Sequence, residues 1–181
     1  MKLPRGRLVR RRVVSDPGTV LSNALEDGLT GYVRLESQDA LLLDAEGVGV
    51  LTFAHGVPVT AYHTGTDNAG SDALADIAVA GPYRLEVYEL DADALEAVHE
   101  TPAFRVPPGA SAERLAGDPD LAARTREAAP QRRIEDTEST AERETNAIEE
   151  FLEDQSRIES IRERAREEAR RRADEWNLQE G

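Results

Sequence analysis

Three kinds of residue in this sequence could carry chemistry: its three histidines, an acidic glycine-containing loop, and a run of arginines. His55 and His63 stand eight positions apart in the apolar stretch GVGVLTFAHGVPVTAYHTG, and His99 stands alone. Two imidazoles brought together would supply half of a zinc-type site. The loop GTDNAGSD places Asp67, Asn68 and Asp72 around the start of a helix. Backbone N–H groups at such a start can hold an anion. The loop nevertheless lacks the lysine of a phosphate loop, its aspartates repel phosphate, and its spacing is not that of a calcium loop. The chain has no cysteine, which removes thiol catalysis, disulfides and cysteine-held metals. No Gly-x-Ser-x-Gly, His-Glu-x-x-His or dinucleotide fingerprint occurs. The residues thus predict no catalytic group, no cofactor and no metal ligand, and a protein that is not an enzyme.

Strand parity separates the two neighbouring histidines. A three-residue loop, Ala54-His55-Gly56, with Gly56 left-handed, would set Phe53 opposite Val57, Leu51 opposite Val59 and Gly49 opposite Ala61. All these apolar residues would then share one face. A two-residue loop of His55-Gly56 would pair Phe53 with Pro58 and Leu51 with Thr60, splitting the set, and a one-residue slip is costly where one face is buried. The three-residue loop is therefore expected. His55 falls at its tip, and His63 lies roughly 20 Å further along the strand at ~3.4 Å per residue, too far to share an ion. His63 is expected to be a partly buried structural residue.

Around this hairpin the patterns predict an α+β fold: a small antiparallel sheet with short packing helices. SDPGTVLSNALEDG reads as a helix, capped by Ser15 or Asp16, with Pro17 in its first turn and Gly28 after its end. TGYVRLES and ALLLD read as strands. SDALADIAVAG reads as a helix capped by Ser71 and ending at Gly81. PYRLEVYEL alternates as a strand with Tyr83, Leu85 and Val87 on one face. A short helix starts at Asp91. Prolines 102, 107, 108, 119 and 130 then mark 101–140 as a linker with short helices near 110–117 and 118–129. From Ala141 to Asn177 the chain lacks Pro and Gly, is rich in Glu and Arg, and forms a long charged C-terminal α-helix. The expected organisation is a basic N-terminal arm at 1–14, a domain at 15–100, the linker at 101–140 and the helix at 141–177.

The charge balance bounds the setting. The net charge is −14, and Lys2 is the only lysine among 22 basic residues. A large acidic excess with almost no lysine resembles cytosolic proteins of salt-loving archaea, where concentrated salt screens carboxylate repulsion. A high-GC bacterial origin would also give arginine over lysine but explains the acid excess less well. No apolar run approaches the ~20 residues needed to span a bilayer, and VVSDPG cuts short any signal-like run after the basic start. A cytoplasmic protein without membrane contact is expected. The arm carries Lys2, Arg5, Arg7, Arg10, Arg11 and Arg12 without an acid. It could contact nucleic-acid phosphates, neutralise an acidic partner, or fold back on the chain's own acids. Phosphate binding by so few charges weakens steeply with salt, and an acidic body opposes it. Self-association or strand packing is the favoured use.

The long helix holds the expected partner-binding surface. Phe151, Leu152, Ile158, Ile161, Ala165, Ala169 and Trp176 recur at three- and four-residue steps, large at first and mostly alanine later. A wholly solvated helix has little use for such a stripe, so it predicts a helix–helix contact within this chain, with a second copy or with a protein partner.

The middle of the chain resembles the PATAN-type interaction domain. The likeness rests on a strand after Thr30-Gly31 and a hairpin of the form Gly-x-Leu-x-Phe-x-x-Gly-x-x-Val-x-Ala, carried here by Gly49, Leu51, Phe53, Gly56, Val59 and Ala61. A Gly-x-x-Ala-Leu helix follows at Gly70, Ala73 and Leu74, then an apolar strand. It covers about residues 17–90; the strand ALLLD, the arginines and the long helix depart from it. The whole chain is also similar to a family of small haloarchaeal proteins without an assigned activity. The PATAN likeness implies an α+β interaction module found beside response-regulator and motility components, and no enzyme. The function expected is a non-catalytic protein-interaction or regulatory adaptor of the haloarchaeal cytosol. The alternative is a nucleic-acid- or ribosome-associated accessory protein using its arginines.

Overall fold

The computed structural model describes residues 3–37, 47–78 and 82–137, and beyond them residues 139, 158, 159, 162, 163 and 166. The chain divides into two units, Met1–Ile134 and Glu135–Gly181. The first unit holds one antiparallel sheet made of β1 (Arg7–Val14), β2 (Gly31–Ser37), β3 (Gly49–Ala54), β4 (Val57–His63) and β5 (Tyr83–Glu89), with α1 (Gly18–Asp27), α2 (Gly70–Ile77), α3 (Glu96–His99) and α4 (Pro119–Ala128) around it. The strand order is β1-β5-β2-β3-β4. The protein is thus α+β, with the antiparallel sheet and short helices that the residue patterns imply. The segment ALLLD lies outside the described residues.

Each element follows from its sequence. Asp16 Oδ1 accepts the Gly18 N–H at 2.7 Å and closes the start of α1. Gly28, at φ 62°, ends it in the left-handed conformation. Between them Val20, Leu21 and Ala24 face inward, onto Val33 and Leu35 of β2, Leu51 and Phe53 of β3, and Leu85 and Val87 of β5 in one core cluster. The period-two alternation of each strand puts these residues on one face. Helix α2 adds Ala73, Leu74 and Ile77 to the same core. It starts at Gly70 after Ala69 and has no side-chain cap, so the expected capping by Ser71 is not made.

The hairpin differs from expectation in an instructive way. Its loop has two residues, His55 and Gly56, at φ 50° and 82°, between the paired Ala54 and Val57. Positive φ at both central positions is the turn whose twist matches the flanking strands. The apolar set stays together because β4 carries a bulge: Phe53 opposes Pro58 and Thr52 opposes Thr60, so Val59 is the extra residue. Leu51 therefore meets Ala61, and Gly49 meets His63. The correction of parity comes from the bulge, not from a longer turn.

Two segments expected to lie outside the domain belong to it. The arginine-rich start is no free arm from Arg7 onward, since β1 pairs with β5 along its whole length. Its exposure as an edge strand hides the usual apolar alternation. The stretch 101–140 does contain short helical pieces, a 3-10 turn at Pro102–Phe104, a π-helical turn at Ala112–Ala116 and then α4. As far as α4 it is not a linker: Val106, Ala110, Ala112, Leu121 and Ala122 are in the core. Its prolines punctuate these pieces without loosening them. Pro119 opens α4, where Asp118 accepts the Leu121 N–H at 2.9 Å.

Candidate functional site

The histidines do not converge. His55 is exposed at the hairpin tip. His63 is half-buried at the end of β4, its Nδ1 3.1 Å from Thr66 Oγ1. That hydroxyl donates to Asp76, which also accepts from Asn68 Nδ2 at 2.8 Å. These two hydrogen bonds hold the Asp76 carboxyl below its ordinary pKa. Asp67 accepts from the Tyr62 hydroxyl, raising the tyrosine pKa. The loop's polar groups are thus engaged in bracing the turn into α2. Among the described residues no group of three or more histidines and carboxylates is placed to hold a metal ion.

A different set of residues surrounds a cleft of about 680 Å³ between β1 and α1. Its floor is apolar, from Val20 and Ala24 of α1, Val33 of β2, and Leu85 and Val87 of β5. Its rim is charged, with Arg5, Arg7, Arg10 and Arg12 set against Asp27, Glu89 and Asp91. The cleft exists because α1 covers the middle of the sheet while β1 continues the sheet past it. Volumes of roughly 300–1,000 Å³ are those of small-molecule sites.

A bulge in β1 places the arginines there. Leu8 opposes Tyr88 and Arg10 opposes Val87, so Val9 is the extra residue. In an unbroken ladder running on from Arg7 opposite Glu89, Arg10 and Arg12 would face away from the core and Arg11 toward it. The bulge reverses this. Arg10 and Arg12 share the face of Val87 and Leu85, and Arg11 joins Glu86 on the far face at 3.3 Å.

The arginines differ in their partners. Arg7 pairs with Glu89, and Arg10 reaches Asp27 at the end of α1, 3.8 Å away. Arg12 has no such partner among the described residues: its Nε and Nη2 are shielded from solvent and make no hydrogen bond there. Leaving a buried donor unsatisfied costs about 1–3 kcal/mol, more when it is charged. On the far face the charges are instead consumed locally. Glu86 receives Arg11 and Arg34, each at 3.3 Å, and the Tyr88 hydroxyl at 2.9 Å, which raises the tyrosine pKa. Tyr88 stacks on Tyr32 with ring centroids 4.7 Å apart.

Of the expected partner-binding stripe, Ile158 is helical and 49% exposed. Phe151, Leu152, Ile161, Ala165, Ala169 and Trp176 lie outside the described residues. The cleft escapes a reading of the sequence because a one-residue bulge decides which arginines share a face. The one available signal is the spacing of Arg10 and Arg12, two apart like Tyr83, Leu85 and Val87. No helix among the described residues is long and apolar enough to cross a membrane.

The chain belongs to the family described as Domain of unknown function (DUF8572), whose model matches residues 2–178. Neither a curated protein nor a solved structure matches it.

Proposed function

We propose that this DUF8572 protein is a non-catalytic protein-interaction or regulatory adaptor of the haloarchaeal cytosol, the role that the likeness to the PATAN-type domain implies. The observation supporting this is the edge of the sheet at β1, on which no further strand pairs among the described residues. Strand β1 ends the sheet and holds three large apolar side chains in water, Leu8 at 47% exposure, Val9 at 41% and Val13 at 60%. An edge strand offers unpaired backbone groups to a second strand, and alternate side chains give such pairing its specificity. The stripe from Phe151 to Trp176 is the second proposed surface. A nucleic-acid role is the weaker reading, because Arg7, Arg10 and Arg11 already face the chain's own Glu89, Asp27 and Glu86.

The test is capture from the native cell at its own ionic strength, with nuclease treatment. Wild type is expected to hold a defined set of proteins. A Leu8→Asp/Val13→Asp variant should lose those that dock on the edge, and an Ile158→Asp/Ile161→Asp variant those that dock on the stripe. Retention of the whole set by both variants would remove both surfaces. Copurifying RNA or DNA with a steep salt slope would favour the nucleic-acid reading.

A further inference from the structure

The cleft between β1 and α1 combines an apolar floor with one arginine that has two buried nitrogens without a hydrogen-bond partner among the described residues. The two unpartnered Arg12 nitrogens, Nε and Nη2, are adjacent on the guanidinium. Their N–H bonds point the same way along one edge of the planar group. That edge matches the two oxygens of a carboxylate, which it binds through two parallel charge-assisted hydrogen bonds. Of the other rim arginines, Arg7 and Arg10 already have carboxylate partners, and Arg5 is exposed to solvent. Nor does an acid on the rim serve Arg12: Glu89 takes Arg7, Asp27 faces Arg10, and Asp91 makes no hydrogen bond to the Arg12 Nε or Nη2. Below the rim lie Val20, Ala24, Val33, Leu85 and Val87, which favour hydrocarbon.

We propose that the cleft binds a free small-molecule carboxylate with an apolar body, its head on the Arg12 fork once the side chains that shield the fork move aside, and its hydrocarbon along the floor between α1 and the sheet. The volume, about 680 Å³, accommodates a molecule of that kind. A simple inorganic anion would leave the floor unfilled, and an apolar molecule without a head would leave the fork unsatisfied. The inference is independent of the adaptor reading, because it concerns the purified chain alone.

Octanoate is the probe, titrated into the full chain by calorimetry and by NMR of the valine and leucine methyl groups. Saturable binding that shifts the methyls of Val20, Val33 and Val87 is expected. Octylammonium and acetate, each lacking one half of the recognition, should bind at least about tenfold more weakly, the factor expected from one strong interaction. Arg12→Lys keeps the charge but loses the fork and should weaken octanoate about tenfold. Asn23→Trp, on the half-exposed flank of α1 that lines the cleft, should block it while leaving the fold intact by circular dichroism. The proposal is overturned if octanoate does not saturate, if octylammonium binds equally well, or if neither variant changes the affinity.

Discussion

His99 Nε2 lies 2.9 Å from the Thr52 hydroxyl, which in turn lies 2.6 Å from the Thr60 hydroxyl across the β3–β4 ladder. Both threonines are completely buried, and the fully buried Leu95 comes from the same short segment as His99. A polar chain of this kind satisfies groups that would otherwise be orphaned on the face of the sheet opposite α1. It ties the sequence after β5 to the hairpin, and it has a consequence for pH.

Burial lowers the His99 pKa from 6.5 to about 4, helped by the positive charges of Arg133 and then Arg105. The unfolded chain takes up its proton near 6.5, whereas the folded chain resists until about 4. The stability linked to this group is therefore fully present above 6.5 and is lost as pH falls from there toward 4. Urea midpoints of wild type and His99→Gln, compared at each pH, isolate it from the carboxylates. Acidification through this window should destabilise wild type more than the variant. Parallel pH profiles would show that His99 titrates normally.

Arg133 supplies both an electrostatic and a structural link to the same region. Its Nη2 donates to Pro58 O at 2.9 Å and Val106 O at 3.0 Å. Hydrogen bonds to a charged group contribute about 1.5–3 kcal/mol, so Arg133→Met should destabilise by about that amount. It should also raise the His99 pKa, since one of the two named cations is gone. NMR titration of the imidazole checks this, and an unmoved midpoint would leave burial and Arg105 as the causes.

The glycine at the hairpin tip separates turn geometry from packing. Gly56 has φ 82°, and a Cβ there would stand 2.6 Å from Ala24 O and 2.7 Å from Leu25 Cα. Its N–H donates to Leu29 O at 2.8 Å, docking the tip on the end of α1. Gly56→Val should cost on the order of 1–3 kcal/mol from the conformation alone. Asn tolerates that conformation well, so a turn requirement alone would leave Gly56→Asn near wild type. The close approach to the α1 backbone predicts that Asn also destabilises. An unchanged denaturation midpoint for Gly56→Asn would show that the tip can lift away from α1.

These residues also show what a sequence can and cannot disclose. Alternation in Tyr83, Leu85 and Val87, and the three- and four-residue spacing of Val20, Leu21 and Ala24, are local patterns, and both elements form as they predict. The left-handed Gly56 is local too. The two bulges, at Val9 and Val59, are not local. Each is set by what the partner strand and its covering helix demand, and each changes which side chains share a face. The cleft depends on the first of them, so its arginines read as a charged arm until β5 is placed beside them. Prolines mislead in the opposite direction, since their density after Thr101 suggests a linker where Val106, Leu121 and Ala122 are core residues.

That last point yields a proteolysis prediction. Between residues 102 and 128 trypsin has four arginine targets, Arg105, Arg114, Arg124 and Arg126. All four are held. Arg105 Nε donates to His99 O at 2.7 Å, and Arg114 Nη1 to Ser71 O at 2.7 Å. Arg124 lies 3.5 Å from Glu26, and Arg126 pairs with Glu113. Single exposed pairs contribute little to stability, but the backbone beneath them is fixed by buried Ala112, Leu121 and Ala122. Cleavage needs an extended backbone, so these sites should be cut only from globally unfolded molecules. Leu121→Ala, which should cost about 2–5 kcal/mol, is expected to accelerate cutting at all four sites and at Arg34 and Arg84 of the sheet by a common factor. Mass spectrometry of the early fragments reads this directly. Early cutting at Arg114 or Arg124 while the sheet keeps its far-ultraviolet dichroism would mean that this stretch opens on its own, as a linker would.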